Sequence, residues 1–287
     1  MLFFYAGGIK LTINKRYDII YKRKKGGVKM APHINLGSLS IPTYSVFIFF
    51  ALVAFAITTL LLLEVKEKGE ARVTNRLLVA SLLGFGALGG FAYLFNSLFL
   101  SIERGYIVWG GITWLGGVVG ALPSMVLFIY LLCPMVRTQV IKHFNLMMPG
   151  FALAHGLGRV GCFFAGCCYG KVTDSAFGVC FPDGSYAAKQ YPDLVNGGSL
   201  PVLPTQLFEA LFEILLFVLM LILYKKLKEH FLELYCFSYG TFRFLLELLR
   251  GDERGSVGFF LTPSQLLSLV LIGYGVLLLI YHKKKAD

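Results

Sequence analysis

Charge is scarce in this chain. Only 15% of its 287 residues are Asp, Glu, Lys or Arg, against roughly a quarter in an ordinary soluble domain. Carboxylates are the scarcest, 16 against 27 lysines and arginines. The deficit is filled by apolar residues: 56% of the chain is hydrophobic, mean hydropathy is +0.70, and the apolar residues gather into long runs. That pattern excludes a pair of soluble domains and predicts one compact, all-α integral membrane bundle. Paired-cysteine motifs are also missing. The six cysteines contain no C-x2-C, so the usual zinc spacing is absent and no disulfide framework is implied.

The runs predict seven spans, over 42–64, 77–100, 111–133, 146–164, 205–224, 231–249 and 262–281; about 20 apolar residues suffice to cross a bilayer. The clearest is "YSVFIFFALVAFAITTLLLL". The fourth and sixth are weakest in hydropathy because they hold His155, Arg159, Arg243 and Glu247. Ionisable groups in a span are costly, and therefore candidates for function. Lysine and arginine bias sets the orientation. Twelve of them (Lys66, Lys68, Arg72, Arg76, Arg137, Lys142, Lys225, Lys226, Lys228 and Lys283 to Lys285) fall on one side, and five (Arg104, Lys171, Lys189, Arg250, Arg254) on the other. The richer side, with the C-terminus, is expected in the cytoplasm.

Residues 1–29 conflict with that rule, carrying eight positive charges against Asp18 alone. The stretch "KKGGVKM" offers a reason. Gly-Gly can be encoded by a purine-rich ribosome-binding sequence, here two codons before Met30, so 1–29 is expected to be translated leader with the native start at Met30. An amphipathic interfacial segment is the alternative. Without 1–29 the formal charge falls from +11 by seven to +4, and basicity no longer argues for a nucleic-acid partner. Residues 30–287 then form one domain, with 171–203 as a small outer cap. Asp174, Asp183 and Asp193 in that loop read as turn residues.

Three stretches carry chemistry. In "HGLGRVGCFFAGCCYG" glycines allow close helix approach, and Arg159 either snorkels to the headgroups or binds a lipid phosphate. In "YGTFRFLLELLRGDER" Arg243, Glu247 and Arg250 share one helical face, as an anion site or as a salt-bridged helix. In "LPTQLFEALFE" Pro204 suits a helix start, and Gln206, Glu209 and Glu213 share a face from which carboxylates could orient Arg159 or Arg243. Together they suggest a polar cavity for a phospholipid headgroup near the outer leaflet.

These stretches resemble the prolipoprotein diacylglyceryl transferase family. "GRVGCFFAGCCYG" is similar to its G-R-x-G-N-F-x-N-x-E-x-x-G, "LPTQLFE" to its H-P-[ST]-Q-L-Y-E, and "YGTFRFLLELLR" to its Y-G-x-x-R-F-x-[VL]-E-x-x-R. "LTPSQLLSL" resembles the start of its last span and "IPTYSVFI" its first-span tyrosine segment. The resemblance runs from about Met30 to the end. It implies a seven-span enzyme of the bacterial plasma (inner) membrane that moves the diacylglyceryl group of phosphatidylglycerol to the lipobox cysteine of a secreted lipoprotein precursor, with the bilayer as its medium. It implies catalytic roles for Arg159, Arg243, Glu247 and Glu209, and substrate binding by Tyr44, Arg159, Gly170, Gln206, Arg243 and Arg250. The departures are Cys162 and Ala165 for asparagines, Cys167 for the glutamate, Leu115 and Leu203 for histidines, and Phe208 for tyrosine. They point to a divergent member. The rival readings are the same lipid donor with a different acceptor, and a lipid-binding or redox-sensing membrane protein without transfer chemistry.

Cys162, Cys167, Cys168 and Cys180 admit four readings: small apolar packing, a disulfide from Cys167 or Cys168 to Cys180 on the oxidising face, a thiolate nucleophile or base beside Arg159, or a metal site. Cys162 and Cys167 are the catalytic candidates. The spacing assigns no metal, and no cofactor is expected. His155, one turn before Arg159, reads as a hydrogen-bonded core histidine or as a replacement base.

Overall fold

The computed structural model describes residues 33–36, 39–109, 114–195, 197–251 and 261–286. The proposed leader, 1–29, lies outside them, as does Arg254 of the charge count. A short antiparallel pair, β1 (His33–Leu36) and β2 (Leu39–Pro42), opens the described chain, with Ile34 opposite Ile41. The remaining architecture is helical: α1 (Thr43–Leu60), α2 (Ala71–Arg104), α3 (Trp114–Leu132), α4 (Val140–Ala165), α5 (Tyr186–Gln190), α6 (Thr205–Ile222), α7 (Tyr224–Leu227), α8 (Phe231–Leu246) and α9 (Pro263–Ala286). Among the described residues four segments are long and apolar enough to cross a membrane: Thr43–Lys66, Ala71–Phe95, Thr205–Ile222 and Ser264–Lys284. Their exposed side chains are largely Phe, Leu, Ile and Val, the surface that lipid rather than water tolerates.

Two boundaries differ from expectation. The second expected span, 77–100, is the middle of a 34-residue helix that ends at Gly105, whose left-handed φ of +73° suits a C-cap. The sixth tightens into a 3-10 turn at Glu247–Leu249, and Arg250 leaves the helix with extended backbone. Arg250 therefore follows the helical face that carries Arg243 rather than lying on it.

The chain divides into two compact units. The first draws on residues up to Phe49 and on His155–Phe212 and Phe242–Gln265; the second on Phe50–Ala154, Glu213–Thr241 and Leu266–Asp287. In the second, small residues set helix approach. A methyl group on Gly117 would come 2.9 Å from the Leu88 carbonyl oxygen, and one on Gly120 would collide with the Phe91 side chain. Two polar connections there tie distant segments together. Asn145 donates to the Glu229 carbonyl at 2.5 Å and accepts from Leu232 N at 2.7 Å, fixing the entry to α8. Glu67 takes Lys228 at 2.7 Å and Tyr224 at 2.9 Å. Burial alone would raise the Glu67 carboxyl, but these two partners hold it below its ordinary value.

In the first unit, residues 171–203 are a packed element rather than an open loop. Phe163, Tyr169, Phe181, Ala187 and Val202 form a buried cluster. Single bridges join Val172 and Val179 to Val202, and Pro192 to Ser199. Asp193 accepts from Val195 N at 3.0 Å, the local bond expected of a turn residue, whereas Asp183 accepts from Gly198 N at 2.6 Å, fifteen residues away.

Candidate functional site

The site belongs wholly to the first unit. Helix α4 delivers His155, Arg159 and Cys162 on successive turns before it ends at Ala165. Gly161 lets α1 come close: a methyl group there would meet Phe47 Cβ at 2.9 Å and Tyr44 at 3.3 Å. Tyr44 thus flanks α4, with its side chain partly exposed. After α4 the backbone reverses through Gly166 (φ +64°) and Cys168 (φ +62°). A left-handed cysteine is uncommon and is held here by its neighbours. Thr205 Oγ1 donates to the Cys168 carbonyl at 2.7 Å and Gln206 Nε2 to the Cys167 carbonyl at 2.6 Å. The first turn of α6 therefore clamps the chain around these cysteines.

The reversed chain then pairs with the exit from α8. Gly170 bridges Arg250, and Lys171 N donates to the Leu249 carbonyl at 2.9 Å. Gly170 has no room for a side chain: a methyl group would sit 2.7 Å from both Leu203 Cβ and the Leu249 carbonyl oxygen. Its contribution is this close approach, which carries Arg250 to the thiols. The start of α9 completes the wall. Thr262 N donates to Gln265 Oε1 at 3.0 Å and Gln265 N to Thr262 Oγ1 at 3.2 Å, a reciprocal cap with proline at the first helical position.

The charged groups form a continuous chain. Arg159 Nη2 lies 3.0 Å from Glu209 Oε1, which also has Arg243 Nε at 3.9 Å. Arg243 Nη1 donates to Glu247 Oε2 at 2.6 Å and Nη2 to Ser264 Oγ at 2.9 Å. Arg250 Nε is 3.7 Å from that same Glu247 oxygen, and Thr262 Oγ1 donates to the other at 2.9 Å. Arg159 Nε donates to His155 Nε2 at 3.3 Å, so that nitrogen acts as an acceptor. Glu209 is fully buried, and Arg243, Glu247 and Arg250 are each less than a tenth exposed. Buried charges persist only when compensated, yet three guanidinium groups face two carboxylates. Among the described residues these five side chains hold one another in place. The buried Gln206 Oε1 accepts no hydrogen bond among the described residues, an acceptor available to a donor-bearing ligand.

Of the sequence candidates, Arg159, Arg243, Glu247, Glu209, Arg250, Gln206, Gly170, Tyr44, Cys162 and Cys167 all fall in this unit. Glu213 does not join them; it accepts from Tyr235 at 3.1 Å in the second unit. Ser264 and Thr262 were not legible as site residues, because a hydroxyl at a helix start reads first as a cap. The sulfurs of Cys162, Cys167 and Cys168 lie within 4.8 Å of one another, and Cys180 is not in that group. No cysteine is in a disulfide, so the Cys180 bridge, one of the four readings, is not formed. Hydrogen bonds to Cys162 and Cys167 hold the Cys168 thiol well below the ordinary thiol range, with Arg159 and Arg250 acting in the same direction; Cys167 is correspondingly pushed up. Leu115 lies in α3, its side chain outside the described residues.

Membrane-length apolar helices and a buried chain of arginines and carboxylates define a multi-pass helical membrane protein with a charged cluster in its interior. Comparison makes the class specific. The family model for "Prolipoprotein diacylglyceryl transferase" matches residues 32–281. The chain is 35% identical over 191 residues to "Phosphatidylglycerol--prolipoprotein diacylglyceryl transferase 2" of Clostridium perfringens, covering 66% of this chain and 66% of that protein. It is 34% identical over 177 residues to the transferase of Clostridium tetani, with 61% and 63% covered. Against that of Francisella tularensis subsp. novicida it is 32% identical over 273 residues, with 87% and 93% covered. The chain therefore belongs to the prolipoprotein diacylglyceryl transferase family. It matches just under two thirds of the length of each of the two clostridial relatives.

Proposed function

We propose that this protein transfers the diacylglyceryl group of phosphatidylglycerol to the lipobox cysteine thiol of a secreted lipoprotein precursor. The observation that carries the reading is the buried chain of Arg159, Glu209, Arg243, Glu247 and Arg250, whose guanidinium groups are fixed by carboxylates. A phosphodiester headgroup is a monoanion, and guanidinium groups bind phosphate through paired hydrogen bonds. Attack by the acceptor sulfur on the glyceryl carbon forms a C–S bond and breaks the C–O bond to phosphate. The electron pair stays on the departing glycerol phosphate, which becomes a dianion. Cations fixed before the reaction stabilise that growing charge without reorganising. Arg243, held on two sides by Glu247 and Ser264, and Arg159, held by Glu209 and His155, bind the phosphate. Glu209 and Glu247 position them. Gln206 Oε1 takes a glycerol hydroxyl, and Tyr44 lines the lipid side.

In this reading the protein spans the plasma membrane seven times with its C-terminus in the cytoplasm, an orientation supported by the twelve-to-five excess of lysine and arginine on that side. Residues 171–203 cap the site on the outer face and meet the precursor. A second reading keeps the donor and changes the acceptor; thiols at Cys162 and Cys167, where the family motif has asparagine and glutamate, favour it. The test is lipid transfer by purified protein with phosphatidylglycerol and a lipobox peptide. A peptide gaining one diacylglyceryl group supports the first reading. Phosphatidylglycerol consumed with the peptide unchanged supports the second.

A further inference from the structure

An acceptor thiol must lose its proton before it attacks. The site's carboxylates are engaged by arginines, and His155 Nε2 already accepts from Arg159. The same unit also holds the three sulfurs of Cys162, Cys167 and Cys168, all within 4.8 Å of one another. Two of them are adjacent in sequence, where side chains ordinarily diverge. They converge because Cys168 is turned into the left-handed region and its carbonyl is tied to Thr205, while Gln206 ties that of Cys167. The third comes from the last turns of α4, and Cys167 N and Sγ both reach back to the Cys162 carbonyl, at 3.2 and 3.6 Å. The cluster is built by the backbone rather than by chance approach of surface side chains.

We propose that Cys162, Cys167 and Cys168 bind a zinc ion whose open fourth position receives the acceptor thiol as thiolate. Zinc–sulfur bonds are about 2.3 Å and tetrahedral, which sets sulfurs about 3.8 Å apart. From at most 4.8 Å the sulfurs need to move by no more than about 1 Å each. Three protein ligands with one open position is the arrangement of a catalytic rather than a structural zinc site, and a thiol that coordinates zinc is deprotonated outright. In the step, the acceptor sulfur replaces water on zinc and its proton passes to solvent. The sulfur lone pair then forms the C–S bond described above and leaves the metal. This step rests on the transferase reading; the metal site itself does not.

The test uses the full chain, purified in detergent under reducing conditions, loaded with Zn2+ or with Co2+, and desalted. The site predicts about one retained metal ion per chain and an intense sulfur-to-cobalt charge-transfer band. Both are lost when Cys162, Cys167 and Cys168 are replaced by serine and kept in Cys180→Ser. A cysteine lipobox peptide shifts the cobalt spectrum and its serine counterpart does not. A wild-type protein that retains no metal and shows no band overturns the site, whatever the folding of the variants. Equal shifts with both peptides overturn thiolate ligation. A peptide lipidated as fast after chelation as before overturns the metal while leaving the transferase reading intact. Metal bound at the cluster with no lipid transfer does the reverse.

Discussion

Replacing Arg243 by alanine tests the phosphate site most severely. The side chain makes a 2.6 Å bond to Glu247 and a 2.9 Å bond to Ser264, and lies 3.9 Å from Glu209. Its loss removes one of the guanidinium groups assigned to the phosphate. Breaking a buried pair costs about 3–5 kcal/mol when the partner is left alone. Glu247 keeps Thr262 at 2.9 Å and Arg250 at 3.7 Å, so the stability loss should lie at or below the lower end of that range. Catalysis should suffer more. One fixed donor to a developing oxyanion contributes roughly 10²–10³ in kcat, and the charge on the leaving phosphate rises as the C–O bond breaks. We therefore expect kcat to fall by about that factor and KM for phosphatidylglycerol to rise much less. Arg243→Lys, which keeps the charge and loses the fork, should lie between. The assay is peptide lipidation in phosphatidylglycerol bilayers, with thermal unfolding of each variant measured alongside. A folded Arg243→Ala protein whose kcat stays within about threefold of the parent would refute the reasoning.

Three further outcomes follow from the same structure. Gly170→Ala should lower stability by about 1–3 kcal/mol or more, read as a fall in melting temperature, because its methyl group would meet the Leu249 carbonyl oxygen at 2.7 Å. Asn145→Ala removes two bonds at the entry to α8 and should cost about 1–3 kcal/mol in thermal unfolding, with little change in kcat because Asn145 lies in the other unit. Lys228→Ala removes the partner of the depressed Glu67 carboxyl. A depressed carboxylate contributes stability above its unfolded pKa and loses it as pH falls through the folded value. The melting difference from the parent should thus be present at neutral pH and vanish on acidification, and since both groups are partly solvated it should stay below about 1 kcal/mol.

The helical, membrane-spanning character was legible because hydropathy and span length are properties of local sequence. The pairing of Arg243 with Glu247 was legible for the same reason, since a spacing of four residues fixes a shared face. What escaped depends on contacts distant in sequence. Glu213 shares a helical face with Glu209 by periodicity, yet Glu213 turns to Tyr235 while Glu209 turns to Arg159. Position within a span decides which neighbour a carboxylate meets, and periodicity carries no information about depth. The convergence of three of the four clustered cysteines, without Cys180, escaped for a different reason. Its geometry hinges on a cysteine with φ +62°, a backbone state that cysteine does not advertise as glycine would. The packed core of 171–203 rests on single bridges to Val202, too short to show as alternation in sequence.

The account stands most directly on one reaction. Purified protein is mixed with phosphatidylglycerol and a lipobox peptide, and the peptide mass is followed, with Arg159→Ala and a serine-substituted peptide as controls. The account predicts that the cysteine peptide alone gains one diacylglyceryl group, that glycerol phosphate appears in equal amount, and that Arg159→Ala abolishes both. An unchanged cysteine peptide, or equal lipidation by the Arg159→Ala protein, would contradict it.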